Sequence, residues 1–240
     1  MRSDPLLRRP WTVVIIPVLD EEEGLSLVLG EIPMDVVDEI VVVDNGCTDQ
    51  SMRIAREHGA HVVSEPRRGY GAAMMAGVEA APKAEILVFL DGDHSDDSAE
   101  LPALLDILVQ DEADMVVGSR MISRDSRRAM LFSARAGTRL AVFLLRILFG
   151  MRCSDLGPFR VINRKAFDSL QMRDRDFGWT IEMQIRARRR GLRVCEVPVR
   201  YRKRVGKSKI SGTLSGTVRA GYKILKTISA YRIRPPRFEA

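Results

Sequence analysis

Residues 11–18, Trp-Thr-Val-Val-Ile-Ile-Pro-Val, form a nearly unbroken apolar run. That is the pattern of a strand covered on both faces, not the alternation of a half-solvated one. Short runs of the same kind recur at 39–43, 61–63, 85–90 and 114–117. The stretches between them, 24–31, 49–58, 71–80 and 99–108, space their apolar residues as helices do. Strand and helix alternating at this rhythm predict right-handed βαβ units: an α/β fold with a mostly parallel central sheet and helices on both faces. Ligands of such sheets bind beyond the carboxyl ends of the strands. Carboxylates gather at those ends: Asp20 and Glu21 after the first run, Asp44 after the second, Asp91 and Asp93 after the fourth.

Beyond residue 120 the pattern predicts a long helix at 127–149, a Gly-Pro segment at 154–162, a helix at 179–190, a strand at 194–201, a basic loop and a closing helix at 214–231. No linker interrupts this series. One domain is therefore expected over 11–232, with halves 11–120 and 121–232 and short tails at 1–10 and 233–240.

With 240 residues, 45% of them apolar, the chain is long enough for a full sheet-and-helix core. Cys47, Cys153 and Cys195 are far apart with no Cys-x-x-Cys pair, which excludes a zinc ribbon or disulfide framework and fits a reducing cytoplasm. The apolar run at 140–145 stops at Arg146, short of the roughly 20 residues that span a bilayer. No transmembrane helix and no signal peptide are predicted, and the expected location is cytoplasmic, peripheral at the inner face of the membrane.

The net charge of +6 conceals a division. Residues 1–120 carry 9 Lys and Arg against 24 Asp and Glu, a net of −15, and residues 121–240 carry 29 against 8, a net of +21. The basic half is nearly all arginine, whose planar fork matches phosphate and carboxylate oxygens. Such halves suit a phosphorylated ligand lying between them; they are equally compatible with two solvated faces that attract one another. Few aromatics interleave with the arginines and no zinc-finger, homeodomain-like or RNP-type motif occurs, so nucleic acid is not an expected partner.

Leu90-Asp91-Gly92-Asp93 is the most specific motif. Mg²⁺ and Mn²⁺ favour carboxylate oxygens and share their shell with substrate phosphates, so two carboxylates at a strand end can bridge to a diphosphate. The alternative is an acidic turn capping a helix at Ser98, which Asp96 and Asp97 also suit. Asp44 is placed to accept from a base or a ribose hydroxyl, with Thr48 or Asp49 capping the next helix. No Gly-x-Gly-x-x-Gly follows the first strand, which weakens a dinucleotide site. Arg68, Gly69 and Gly71 read as a phosphate-facing turn. Residues 201–209 hold five cations around Gly206, a loop able to close over a leaving diphosphate. Glu182, on an arginine-rich helix, is open as a base, a positioning group or an ion-pair partner. Arg128, Arg135, Arg139 and Arg146 share one stripe of the long helix, and Arg219, Lys223 and Lys226 one face of the last. Each stripe suits an anionic membrane surface or solvated arginines on a core-packed helix.

In this order the motifs resemble family 2 glycosyltransferases of the GT-A fold, in the branch similar to dolichyl-phosphate mannose synthase and polyprenyl-phosphate glycosyltransferases. The resemblance spans nearly the whole chain through residues 16–21, 43–46, 68–72, 91–93, 117–120 and 155–160, Glu182 and Ser208-Lys209. It implies a single Rossmann-like GT-A domain that transfers a hexose with inversion. The donor would be a nucleoside-diphosphate sugar of the UDP-glucose or GDP-mannose type, and the acceptor polyprenyl phosphate or a soluble hydroxyl. It implies that Pro17, Leu19, Glu21, Asp44, Arg68, Gly71 and Asp91 bind the sugar nucleotide, and that Asp91 and Asp93 hold the metal. Arg120, Arg202, Arg204, Lys207 and Lys209 would handle diphosphate and acceptor phosphate, and Asp93 or Glu182 would be the base for a hydroxyl acceptor. The chain departs from the pattern with Asp20 in place of Asn, Asn45 in place of Asp and Cys47 in place of Ser. A nucleotidyltransferase and a non-catalytic sugar-nucleotide-binding protein are the alternatives of other classes.

Overall fold

A computed structural model describes residues 8–110, 113–206 and 214–233, with side chains in the last span from 221 onward; Lys207, Lys209 and the side chain of Arg219 lie outside what is described. Seven strands form one sheet in the order β3-β2-β1-β4-β6-β5-β7. They are β1 (Thr12–Val18), β2 (Glu39–Asp44), β3 (His61–Ser64), β4 (Ile86–Phe89), β5 (Met115–Ser119), β6 (Arg160–Asn163) and β7 (Val194–Pro198). All neighbouring pairs are parallel except those of β6, which runs antiparallel to β4 and to β5.

The unbroken apolar runs follow from cover on both faces. Successive side chains of a strand point to opposite sides. Val14, Ile16 and Val18 of β1 meet α1 (Glu22–Glu31), α2 (Ser51–Glu57) and α4 (Leu101–Val109), while Val13 and Ile15 meet α3 (Tyr70–Ala80), α7 (Arg164–Leu170) and α8 (Trp179–Arg190). A third apolar cluster joins α6 (Phe132–Phe149), α8 and α9 (Leu214–Ile233) through Ala141, Leu145, Ile181, Ile185 and Ile228.

Two expectations need correction. The single helix over 127–149 is two, α5 (Arg124–Ala129) and α6, because Met130 and Leu131 are extended at ψ 141° and 142°. Arg128 therefore leaves the stripe of Arg135, Arg139 and Arg146. The Gly-Pro segment ends in β6, where only Val161 and Ile162 are apolar between Arg160 and Asn163, so no apolar run marks the strand. Among the described residues no helix is long and apolar enough to cross a membrane.

Register aligns the functional ends. Val18 pairs with Asp44 and Ile15 with Phe89, so the chain leaving β1, β2 and β4 emerges on one rim of the sheet.

Candidate active site

On that rim lies a cavity of about 420 Å³. One wall is the chain after β1, with Pro17, Leu19 and Glu21. A second is the turn after β3, with Arg68, Gly69 and Tyr70, and Asp91, Gly92 and Asp93 form the floor after β4. Asp176, Phe177 and Arg204 close it from the basic half.

The β3–α3 turn is held by Asn45. Its Nδ2 donates to the Glu65 and Arg67 carbonyls at 3.0 and 2.8 Å, and its Oδ1 accepts from Gly69 N at 2.9 Å. An aspartate there would turn two carbonyls against a carboxylate, so the departure from the family's Asp is a structural clamp. Gly46 stands at φ +94°, a left-handed conformation that strains any residue with a Cβ, and the Arg68 guanidinium lies against it. Gly69 and Gly71 serve a close approach: a Cβ on either would run into the carbonyls of Arg175 and Asp174. This lets the loop from α7 to α8 bring Asp176 and Phe177 to the cavity.

Tyr70 donates its hydroxyl to Asp91 Oδ1 at 3.0 Å. Its ring is set by Trp179 at 6.1 Å, itself edge-on to Phe89 at 4.8 Å. Burial, joined by the charge of Asp93 and opposed by the Tyr70 hydroxyl, raises the Asp91 carboxyl to about 7. Burial also pushes Asp96 well above the carboxylate range, with Arg120 opposing and Asp91 and Asp93 adding to it. Neither Asp96 oxygen has a hydrogen-bond partner among the described residues, and no side chain caps the turn at Ser98. Asp96 and Asp97 are therefore not caps. A surplus of mutually repelling carboxylates is what a divalent cation would relieve, and Asp91 and Asp93 are the residues that would hold one at the cavity.

A second acidic cluster, Asp20, Cys47 and Asp49, has ligand atoms within 4.8 Å of one another, close enough to hold a metal ion, and each of its side chains is engaged in local hydrogen bonds. Asp20 Oδ1 accepts from Thr48 N and Oγ1, and the Asp49 oxygens accept from Glu22 N and Ser51 N. The Cys47 thiol donates to the Val18 carbonyl and is pushed up to about 12, chiefly by burial.

Arg204 crosses the cavity mouth. Its Nη2 donates to Glu21 at 2.5 and 2.7 Å, its Nη1 lies 3.4 Å from Asp93 Oδ2, and Val205 N donates to the Asp93 carbonyl at 3.0 Å. The start of the basic loop is thus folded onto the acidic rim. Arg202 is not in the cavity: it pairs with Glu31 at 2.9 Å and Asp97 at 3.0 Å.

Other expected residues sit elsewhere. Arg120 does not line the cavity; its Nε and Nη2 donate to the two Asp155 oxygens at 2.8 and 2.9 Å, and it lies over the Tyr201 ring. Asp44 turns Oδ1 to Gly46 N and Cys47 N. These amides outweigh burial and hold its carboxyl below the usual range. Glu182 is fully buried and its oxygens are filled by Arg173 N, Asp174 N, Arg186 Nε and the Tyr231 hydroxyl. Of the three roles the sequence left open, the one the structure shows is the ion pair, with Arg186 at 2.9 Å, and Glu182 does not line the cavity. Tyr70, Asn45, Asp176 and Phe177 escaped sequence reasoning. Tyr70 stood inside a motif read for its glycines; the last two have no local pattern at all.

Comparison with known proteins extends these observations. Residues 13–171 match the family described as Glycosyl transferase family 2. An uncharacterized glycosyltransferase of Mycobacterium tuberculosis is 40% identical over 217 residues, covering 90% of this chain and 97% of the relative. The dolichyl-phosphate hexose transferase of Haloferax volcanii is 31% identical over 224 residues, covering 92% and 95%. Among solved structures, glucosyl-3-phosphoglycerate synthase of M. tuberculosis in complex with Mn²⁺, UDP and glucosyl-3-phosphoglycerate superposes with a TM-score of 0.76 at 22% identity. It covers 99% of this chain and 88% of that one. At that identity it shows the fold alone, and the fold is GT-A.

Proposed function

The chain belongs to glycosyl transferase family 2, and we propose that this glycosyltransferase moves a hexose from a nucleoside-diphosphate sugar to a polyprenyl phosphate at an anionic membrane surface. The observation that carries this is that Asp91 and Asp93, whose charges repel, line one cavity together with Arg204, which pairs with Asp93. Asp91 and Asp93 would hold Mg²⁺ or Mn²⁺, which supplies positive charge to the departing diphosphate. Pro17, Leu19 and Arg68 bound the space for the nucleoside. Tyr70 orients Asp91. When a diphosphate enters, Arg204 can exchange its carboxylate partners for phosphate oxygens, so its charge stays in place as negative charge grows on the leaving group.

The acceptor assignment is supported by the state of the two expected bases: Glu182 is buried and paired with Arg186 and Tyr231, and Asp93 pairs with Arg204 and is assigned here to the metal. A phosphate acceptor arrives already ionised and attacks the anomeric carbon directly, displacing the nucleoside diphosphate with inversion. The relative named for dolichyl phosphate supports the same choice.

The membrane assignment is supported by α6. Phe132, Leu140, Phe143 and Ile147 are 74%, 50%, 57% and 62% exposed and fall within about 80° of one another at 3.6 residues per turn. Thr138, Ala141 and Leu145 are buried on the opposite side. Arg135, Arg139 and Arg146 flank the exposed strip, and α9, packed beside it, adds exposed Tyr222, Leu225 and Ile233 with Lys226 and Arg232. Two apolar faces on one helix, the outer one edged with arginine, suit the headgroup region of an anionic bilayer.

The test is transfer from radiolabelled UDP-glucose or GDP-mannose, with Mn²⁺, to polyprenyl phosphate or to the corresponding alcohol. Label entering the lipid phase only with the phosphate is expected. Release of pyrophosphate would mean nucleotidyl transfer, and donor binding without turnover would mean a binding protein.

A further inference from the structure

Of the four carboxylates lining the donor cavity among the described residues, Glu21 and Asp93 pair with Arg204, and Asp91 and Asp93 are the residues for the metal. Asp176 has neither duty. It reaches the cavity from the basic half of the chain, side by side with Phe177. We infer, on the reading of this cavity as a sugar-nucleotide site, that Asp176 and Phe177 hold the hexose: the carboxylate accepts hydrogen bonds from sugar hydroxyls and the ring covers a C–H face of the sugar.

The backbone at this point is fixed from several sides. Glu182 accepts from Arg173 N and, at 2.6 Å, from Asp174 N. The Arg175 carbonyl accepts from Ala72 N at 2.9 Å, which ties the loop to α3. Asp176 donates its own amide to Asp174 Oδ1 at 2.7 Å, and its carbonyl accepts from Trp179 N at 3.2 Å. A side chain carried on so constrained a loop stays near one place, which is what telling one arrangement of hydroxyls from another requires.

The side chain itself has acceptor capacity to spare. It is 35% exposed, and its ionic partner is Lys223 of α9, a residue whose sequence position suggested a membrane-facing or solvated stripe. The ammonium lies 3.7 Å from Asp176 Oδ2 and 3.7 Å from Asp174 Oδ2. Both separations exceed a hydrogen bond, and one cation is divided between two carboxylates. Among the described residues neither Asp176 oxygen accepts a hydrogen bond. An ionised carboxylate has acceptor positions on both oxygens, and hydroxyl bonds to a charged acceptor are about twice as strong as neutral ones. Diphosphate oxygens carry the same sign of charge and are kept from this wall, which leaves it to an uncharged part of the donor. With Pro17, Leu19 and Arg68 bounding the nucleoside, that part is the sugar. Phe177 supplies the apolar surface that a few well-placed polar groups need beside them in a ligand site.

The experiment is calorimetric titration of the full chain, with Mn²⁺ present, by UDP, GDP, UDP-glucose and GDP-mannose, for the wild type, Asp176→Asn and Asp176→Ala. The quantity read is the affinity for a sugar nucleotide relative to that for its own nucleoside diphosphate. Asp176→Ala should weaken the sugar nucleotide about tenfold or more while the bare diphosphate stays within about twofold. Asp176→Asn, which keeps one acceptor oxygen, should fall between. Retained binding of the diphosphate shows that a variant is folded. A merely structural Asp176 would move both ligands together or neither, and either result overturns the inference alone. A wild type that binds none of the four would overturn the sugar-nucleotide reading of the cavity and this inference with it.

Discussion

The hydroxyl of Tyr70 lies 3.0 Å from Asp91 Oδ1, at the one carboxylate of the cavity floor that burial and a like-charged neighbour both disfavour in its ionised form. A hydrogen bond to a charged acceptor contributes about 1.5–3 kcal/mol. Tyr70→Phe keeps the ring against Trp179 and removes only the bond, so the apparent affinity for Mn²⁺ should fall about tenfold or more. Mn²⁺ titration of the donor-dependent rate, or of Tm, checks this. An unchanged midpoint would mean Tyr70 is packing alone.

Arg204 pairs with Glu21 and Asp93 at the cavity, where the proposed cation and diphosphate would compete for it. Arg204→Gln should therefore have opposite effects on two measurements. Mn²⁺ alone should bind more tightly, because Glu21 and Asp93 lose a counter-ion, while the maximal transfer rate should drop about 10²-fold or more through loss of leaving-group stabilisation. A parallel fall in both would contradict the exchange of partners.

Asp155 sets the acid limb of stability. Burial works against its ionisation, but the Arg120 guanidinium and the amides on it win, so the folded carboxyl lies below its ordinary 3.8. A depressed carboxyl contributes stability that is present above the unfolded pKa and drains away as pH falls through the folded one. Asp155→Asn should cost about 3–5 kcal/mol at neutral pH, since it strands Arg120. It should also flatten the loss of stability below about pH 4. Urea denaturation from pH 2.5 to 7 reads both.

Glu182→Gln separates anchoring from catalysis. Weakening a buried pair with Arg186 should lower Tm clearly, at about 3 kcal/mol, whereas kcat per folded molecule should stay within about twofold, under 0.5 kcal/mol of barrier. A rate loss of several orders of magnitude at preserved fold would restore Glu182 as a base.

Phe143→Asp and Ile147→Asp on the outer strip of α6 should leave stability within about 0.5 kcal/mol. Both should abolish sedimentation with vesicles containing anionic lipid. Undiminished vesicle binding would remove α6 from the membrane contact.

Much of this was legible in the chain. Runs such as 11–18 and 85–90 announce strands covered on both faces, because hydrophobic burial acts on every side chain of such a strand. Glycines at 46, 69 and 71 and carboxylates at 44, 91 and 93 mark the rim, since a parallel sheet ends its strands on one side. Two features did not declare themselves: β6 has only Val161 and Ile162 apolar between Arg160 and Asn163, and the break at Met130 and Leu131 interrupts a helical pattern whose spacing continues across it.

The sequence by itself determined the α/β layering, the rim and the acidic pair, all of which depend on periodicity and neighbours close along the chain. Only the tertiary structure decided which charges face the cavity. Arg120, Arg202 and Glu182 looked as well placed as Arg204, but Asp155, Glu31 and Asp97, and Arg186 with Tyr231 hold them elsewhere, whereas Arg204 pairs with Glu21 and Asp93 at the cavity itself. Charge pairing and desolvation depend on distance in space, and partners as far apart as Arg204 and Glu21, 183 residues, leave no trace in local spacing.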